Sequence, residues 1–237
     1  MQKDVSFSNI IGTTFSTVSD GAMACLVYIA LLGGLGTIGA IFGVASTQEL
    51  GVSTGFMVDG SRGIGTALFQ LVTAILSIVA GYYLIAKLLE TRGLLRDTQT
   101  RIWAYIGLSI LMGIGVVFGL ILLIVPGIML LVRWSAATGY LIGAREGVIE
   151  SLSASWEATK GHSWPIFGAG LVLVIAYGFV AGMLGVTTGL ATGSEGILIG
   201  AVSAFADAVG SVLSVAFTVA VYALVSNDQD VVGEVFA

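Results

Sequence analysis

Residues 125–164 read VPGIMLLVRWSAATGYLIGAREGVIESLSASWEATKGHSW, and this stretch decides how the chain is folded. It holds a Pro126-Gly127 dipeptide, Arg133 inside an apolar run, a polar segment with helical patterning, and a new apolar run that opens at Trp164-Pro165. The residue before a proline avoids the helical region and glycine accepts unusual backbone angles, so Pro126-Gly127 predicts a tight turn. The apolar run over residues 128–144 predicts a short membrane-spanning helix ending at Arg145. Residues 146–160 are too polar to cross a bilayer. Ile149, Leu152, Trp156 and Thr159 recur on one face, with Glu146, Glu150, Ser153, Glu157 and Lys160 opposite, which predicts an amphipathic helix lying in the interface. Proline in the first turn of a helix lacks only a donor that has no partner there, so Trp164-Pro165 reads as a restart.

Outward from this stretch the chain is nearly all hydrophobic span. Of its 237 residues 57% are hydrophobic and 10% charged, and the mean hydropathy is +1.03. A soluble domain carries about a quarter charged residues and breaks its apolar runs into short periodic pieces. Here several runs exceed the roughly 18–20 apolar residues that cross a bilayer. The expected fold is therefore all-α: a polytopic membrane bundle of six spans in one integral membrane domain over residues 1–237. The spans are about 21–44, 63–88, 102–124, 128–144, 165–186 and 197–225. A second interfacial helix is expected at about 7–18, where Phe7, Ile10, Ile11, Phe15 and Val18 share a face. Asp20 is a candidate cap for the first span, and the acidic tail from Ser226 is expected to be poorly ordered.

Charge sets the orientation. Lys87, Arg92, Arg96 and Arg101 fall within fifteen positions, which places that loop in the cytoplasm. Six spans then put both termini inside as well, together with Arg145, Lys160 and Lys3, while Arg62 falls outside beside Asp59. The net charge of −5 leaves no basic stripe to hold phosphates, so a nucleic-acid partner is not expected. Cys25 is the single cysteine, and no disulfide forms within one chain. Residues 1–8 lack a basic segment leading into an apolar one, so no cleaved signal peptide is expected.

Two parts of the central stretch match a bacterial pattern: Ile124-Val125-Pro126-Gly127-Ile128 with Val132-Arg133-Trp134-Ser135, then Ser155-Trp156, Thr159-Lys160-Gly161 and Trp164. Over these residues the chain resembles the YciC-type membrane protein family, similar to the membrane domain fused to some glycerophosphoryl diester phosphodiesterases. The resemblance implies a multi-pass protein of the bacterial inner (plasma) membrane with no assigned biochemical role. The phosphodiesterase chemistry of the fused proteins belongs to a soluble domain that this sequence does not contain. Glu146, Glu150 and Glu157 depart from the more basic helix of the relatives, and Asp207 is not part of the pattern.

Arg133 and Asp207 are the charges inside apolar runs, where an uncompensated charge costs on the order of 2.5–3.5 kcal/mol on insertion scales. At about 1.5 Å per residue, Gln70 lies about 11 Å below the outer surface, Arg133 about 8 Å and Asp207 about 15 Å. These depths suggest a buried polar cluster of Gln70, Arg133 and Asp207; the alternative is an Arg133 that snorkels to lipid phosphates. Small residues four apart, at Gly39 and Gly43, Gly115 and Gly119, Gly178 and Gly182, and Gly185 and Gly189, suit close helix packing within the bundle or between copies. Trp103, Trp134, Trp156 and Trp164 read mainly as interface anchors. His162 is the sole histidine, so a multi-ligand metal site is not expected. Nor is a catalytic constellation, a catalytic residue or a cofactor. The expected role is structural or accessory: a membrane scaffold or complex subunit, with membrane lipids and other membrane subunits or further copies of the chain as partners. The alternative is a small transporter or lipid-handling protein using the Gln70/Arg133/Asp207 cluster.

Overall fold

The computed structural model describes residues 4–42, 63–97, 99–192 and 197–236. In order, the elements are α1 (Phe7–Asp20), α2 (Ala22–Ile41), α3 (Ile64–Thr91), α4 (Ile102–Leu122), α5 (Ile124–Arg133), α6 (Ala137–Ile142), α7 (Val148–Ala158), α8 (Ser163–Thr192) and α9 (Ile197–Phe236). The described residues include no strand. The protein is an all-α polytopic bundle in which six helical stretches are long and apolar enough to cross a membrane, α5 and α6 together forming the fourth. The expected polar loop at 45–62 and Gly43 lie outside the described residues. The last helix does not stop at Val225, where the sequence reading ends the sixth span: α9 continues to Phe236.

Helix α9 is the central post. It packs against α1, α2, α3, α6, α7 and α8, and over half of its membrane-length window is buried by protein. Small residues bring α2 onto it: the Gly36 backbone meets Ala204, Gly200 meets Ala40, and Gly33 lies under the ring of Phe205. The α4–α5 hairpin closes in the same way, with Gly119 against Gly127. Trp134 lies across Gly115, so it packs inside the bundle rather than anchoring in the interface. Trp103 and Trp164 do stand exposed, at 83% and 82%.

Burial is concentrated at one end of the bundle. Its largest fully buried side chains are Ile10, Leu88, Leu89, Leu108, Leu141, Ile166, Val219, Val221 and Val225, with Thr14, Thr17 and Thr159. Those on the spans belong to one end, where the loops around 92–101 and 143–147 gather, and Ile10, Thr14, Thr17 and Thr159 lie on or beside the short helices at that end. This is the basic end. Toward the opposite end Leu122 to Val125, Ile64, Leu68 and Leu190 are exposed, while α2 stays packed on α9 at Gly36 and Ala40 and α4 on α5 at Gly119.

Two boundaries differ from the sequence reading. The turn between the third and fourth spans is made at Leu123, whose backbone is extended (φ −161°, ψ 141°), not at Pro126-Gly127. Pro126 lies in the first turn of α5, where its missing N–H leaves no bond unmade, and Gly127 serves the close approach to α4. Asp20 does not cap α2, which follows α1 across Gly21 with no side-chain cap. Its carboxylate instead pairs with Arg92 at 3.2 Å.

The glycines separate into filled and open positions, which gives a stability test. A Cβ added at Gly139 overlaps the ring of Tyr222, while Gly178 and Gly182 have no atom within 4 Å of that point. Gly139→Ala should lower stability in mild detergent by about 1–3 kcal/mol through overpacking. Gly178→Ala and Gly182→Ala should leave it unchanged or raise it by up to about 1 kcal/mol, because alanine is the better helix former. Thermal or denaturant unfolding of the three variants measures the difference.

Candidate functional site

The polar chemistry of the described residues concentrates where the fourth span breaks. After Arg133 the helix opens for three residues, Trp134 to Ala136, and resumes as α6. The Ala137 N–H turns to the Trp134 carbonyl (3.1 Å) instead of the Arg133 carbonyl. An unbonded carbonyl and N–H inside protein are costly, and α7 supplies both partners through one side chain. The Ser155 hydroxyl donates to the Arg133 carbonyl at 2.7 Å and accepts from the Ala136 N–H at 3.2 Å. The Thr159 hydroxyl, which donates to the Ser155 carbonyl at 2.8 Å, lies 3.4 Å from the same Arg133 carbonyl. Ser155 thus splints the break.

The Arg133 side chain is held by the same helix. Its Nη1 donates to the Trp156 carbonyl at 3.3 Å, and its guanidinium carbon lies 5.3 Å from the centre of the Trp156 ring, in cation–π range. Two of the residues singled out in the sequence, Arg133 and Trp156, are therefore brought together. The proposed Gln70/Arg133/Asp207 cluster does not form as an ion pair: among the described residues no salt bridge joins Arg133 to Asp207. The reason is local. The last turn of α7 offers the Trp156 carbonyl beside the arginine, and the ring of the same residue completes its environment. Gln70 is half-buried in the outer half of α3. Asp207 lies on α9 within electrostatic reach of Tyr177 of α8.

Both amphipathic helices expected from the sequence are present, but rolled about their axes. In α7 the buried residues are Ser151, Leu152, Ser155 and Ala158, followed by Thr159, whereas Ile149 is 68% exposed. Lys160 lies beyond the helix end and pairs with Glu157 in solvent. In α1 the buried face is Ile10, Thr13, Thr14 and Thr17, while Phe7 and Phe15 point outward. Thr14 and Thr17 donate back to the carbonyls of Ile10 (2.8 Å) and Thr13 (2.7 Å), which satisfies their hydroxyls within the helix. Hydroxyl faces in and aromatic faces out is the arrangement that an apolar solvent favours.

Arginine clamps α1 as it clamps α7. Arg92, just past α3, donates to the Thr13 carbonyl (3.2 Å) and the Ser16 hydroxyl (2.6 Å) besides pairing with Asp20. Two more arginines tie the loops together. Arg101 donates to the carbonyls of Glu146 (2.8 Å) and Leu141 (3.4 Å). Arg145, with a left-handed φ of 63°, pairs with Asp97 at 2.9 Å. The Arg96 N–H bonds the Gly143 carbonyl at 3.2 Å. Burial pushes the Glu146 carboxyl above the usual glutamate range, against the nearby Arg96 charge and with help from Glu150.

No family model, curated protein or solved structure matches this chain. What the site can do chemically follows from its own geometry. Its arginines and hydroxyls hold backbone, and they fix two short helices and two loops to the basic end of the spans.

The Arg133 environment predicts a pattern of coupling. In double-mutant cycles, Arg133→Leu and Trp156→Leu should interact by about 0.5–2 kcal/mol, since the two residues touch. Arg133→Leu and Asp207→Leu should add to within about 0.5 kcal/mol, as independent sites do. Thermal stability in detergent reads both cycles.

Proposed function

We propose that the chain is a non-enzymatic, multi-pass component of the bacterial inner membrane with a structural or accessory role, as a membrane scaffold or subunit of a larger complex. The observation that carries this reading is the contrast between the two ends of the bundle. One end is clamped by arginines that bond to carbonyls, hydroxyls and carboxylates of the chain itself. At the other end α8 presents Val174, Ile175, Phe179, Val180, Met183 and Leu184 outward, with only 6% of its membrane-length window buried. A clamped base and exposed apolar helix faces suit a part that holds other membrane elements in place. Membership of the YciC-type family, as the central stretch suggests, accords with that role.

The orientation proposed is basic end inward. Lys87, Arg92, Arg96, Arg101, Arg145 and Lys160 all gather at that end, and cytoplasmic segments carry the excess of Lys and Arg. Both termini then face the cytoplasm.

Protein excised from its own membrane in polymer nanodiscs tests the role. The expected result is a particle larger than the single chain, with a second membrane protein or further copies in fixed stoichiometry. A lone chain that drives solute flux in reconstituted vesicles would overturn the reading and favour transport instead.

A further inference from the structure

The arginine clamps leave a polar cleft at the basic end that the structural role does not use. It lies between the last turns of α3 and the loop leading into α4, with Ile142 of α6 also lining it, and holds about 170 Å³. Tyr82, Tyr83, Lys87 and Glu90 line it from α3, and Asp97 and Arg101 from the loop. Tyr83 is exposed, as is Trp103 in the first turn of α4. Aromatic side chains exposed where spans end stand at headgroup height. The cleft is therefore within reach of lipid headgroups.

Its charges fall in two tiers. Helix α3 runs toward the basic end, so each residue lies about 1.5 Å further out than the one before it. Lys87 stands about 6 Å outside Tyr83, and Glu90 about 4.5 Å beyond Lys87. The Tyr82 hydroxyl accepts the Arg101 N–H at 2.9 Å, which ties a second cationic residue to the inner tier. Tyr82 is buried, and among the described residues nothing accepts its hydroxyl proton. Asp97, in the loop past the end of α3, joins Glu90 in the outer tier. Glu90 pairs with Lys87 at 2.9 Å, each about half exposed. Asp97 pairs with Arg145 at 2.9 Å through one oxygen and accepts the Gln99 N–H at 3.3 Å through the other. An exposed pair such as Lys87–Glu90 contributes little by itself, so both of its charges are open to a ligand of matched sign.

We propose that this cleft binds the headgroup of a phospholipid that carries a primary ammonium beyond its phosphate. From the membrane outward such a lipid presents acyl chain, phosphate and then ammonium, the last two joined by a short linker. The cleft presents the matching order. Exposed aromatic surface at Tyr83 comes first, then Lys87 and the Tyr82 hydroxyl for the phosphate, then Glu90 and Asp97 for the ammonium. Hydrogen bonds with an ionised partner are the strong ones, and a primary ammonium donates to both carboxylates. A headgroup with a phosphate and no ammonium sets its charge against those carboxylates instead. A trimethylated ammonium keeps the charge but has no proton to donate. The site goes beyond the scaffold role and does not depend on it, because it specifies which lipid is held at the clamped end.

The probes are phosphatidylethanolamine, phosphatidylglycerol and phosphatidylcholine with identical acyl chains, titrated onto the full chain in mild detergent. Native mass spectrometry reads the bound lipid. The ethanolamine lipid should bind at least tenfold more tightly than either of the others. Glu90→Gln should reduce that preference at least threefold, and Lys87→Gln should weaken all three lipids, which share the phosphate. Lys160→Gln, at the same end but outside the cleft, should change nothing. All three variants replace exposed side chains, and thermal unfolding checks that each keeps its fold. Water-soluble glycerophosphoethanolamine at the same concentration should not displace the bound lipid. Equal binding of the three lipids, a preference that survives Glu90→Gln, or a Lys160→Gln effect as large as that of Lys87→Gln would overturn the site. Displacement by the soluble headgroup would overturn the assignment to a lipid.

Discussion

The structure depends on a break in a helix that has little or no water available to repair it. Between Arg133 and Ala137 the fourth span loses its regular ladder, and the orphaned carbonyl and N–H are both taken by Ser155. In an apolar surrounding such groups have no solvent to fall back on, so every one must be satisfied by protein. The consequence spreads outward. Ser155 can reach the break only if α7 lies against α6 with its hydroxyl face inward. That roll fixes where Trp156 lies, and Trp156 in turn receives the Arg133 guanidinium.

The same logic appears at the other short helix. Arg92 reaches the Thr13 carbonyl, the Ser16 hydroxyl and Asp20, and the threonine face of α1 packs against α8 and α9. Two amphipathic helices, each held through its backbone by an arginine, brace the basic end of the bundle. The loops are tied by the same means through Arg101, Arg145 and Asp97. Positive charge at this end therefore has a structural task beyond setting topology. It leaves the distal halves of α3, α4, α5 and α8 to present apolar side chains outward.

Much of this fold is legible in the sequence. Six apolar runs separated by polar loops give the spans directly, because length and hydropathy decide membrane crossing almost alone. The short helices at 7–18 and 146–160 are legible from their periodicity. Their roll is not, since a hydroxyl can face water or bond its own helix and bury, and the letters are the same. The break at Trp134 to Ala136 contains neither proline nor glycine, so nothing announces it. Pro126-Gly127 announces a turn that falls instead at Leu123. With the roll of α7 hidden, the Trp156 carbonyl that holds Arg133 is hidden too, and depth alone then points toward Asp207.

Hydrogen–deuterium exchange on the protein in nanodiscs tests the splint most directly. The amides of Trp134 to Ala137 and of α7 should be protected as one unit, and Ser155→Ala should release both together while the amides of α2 keep their protection. Fast exchange of α7 beside a protected break, or a Ser155→Ala variant that leaves the break protected, would contradict the account.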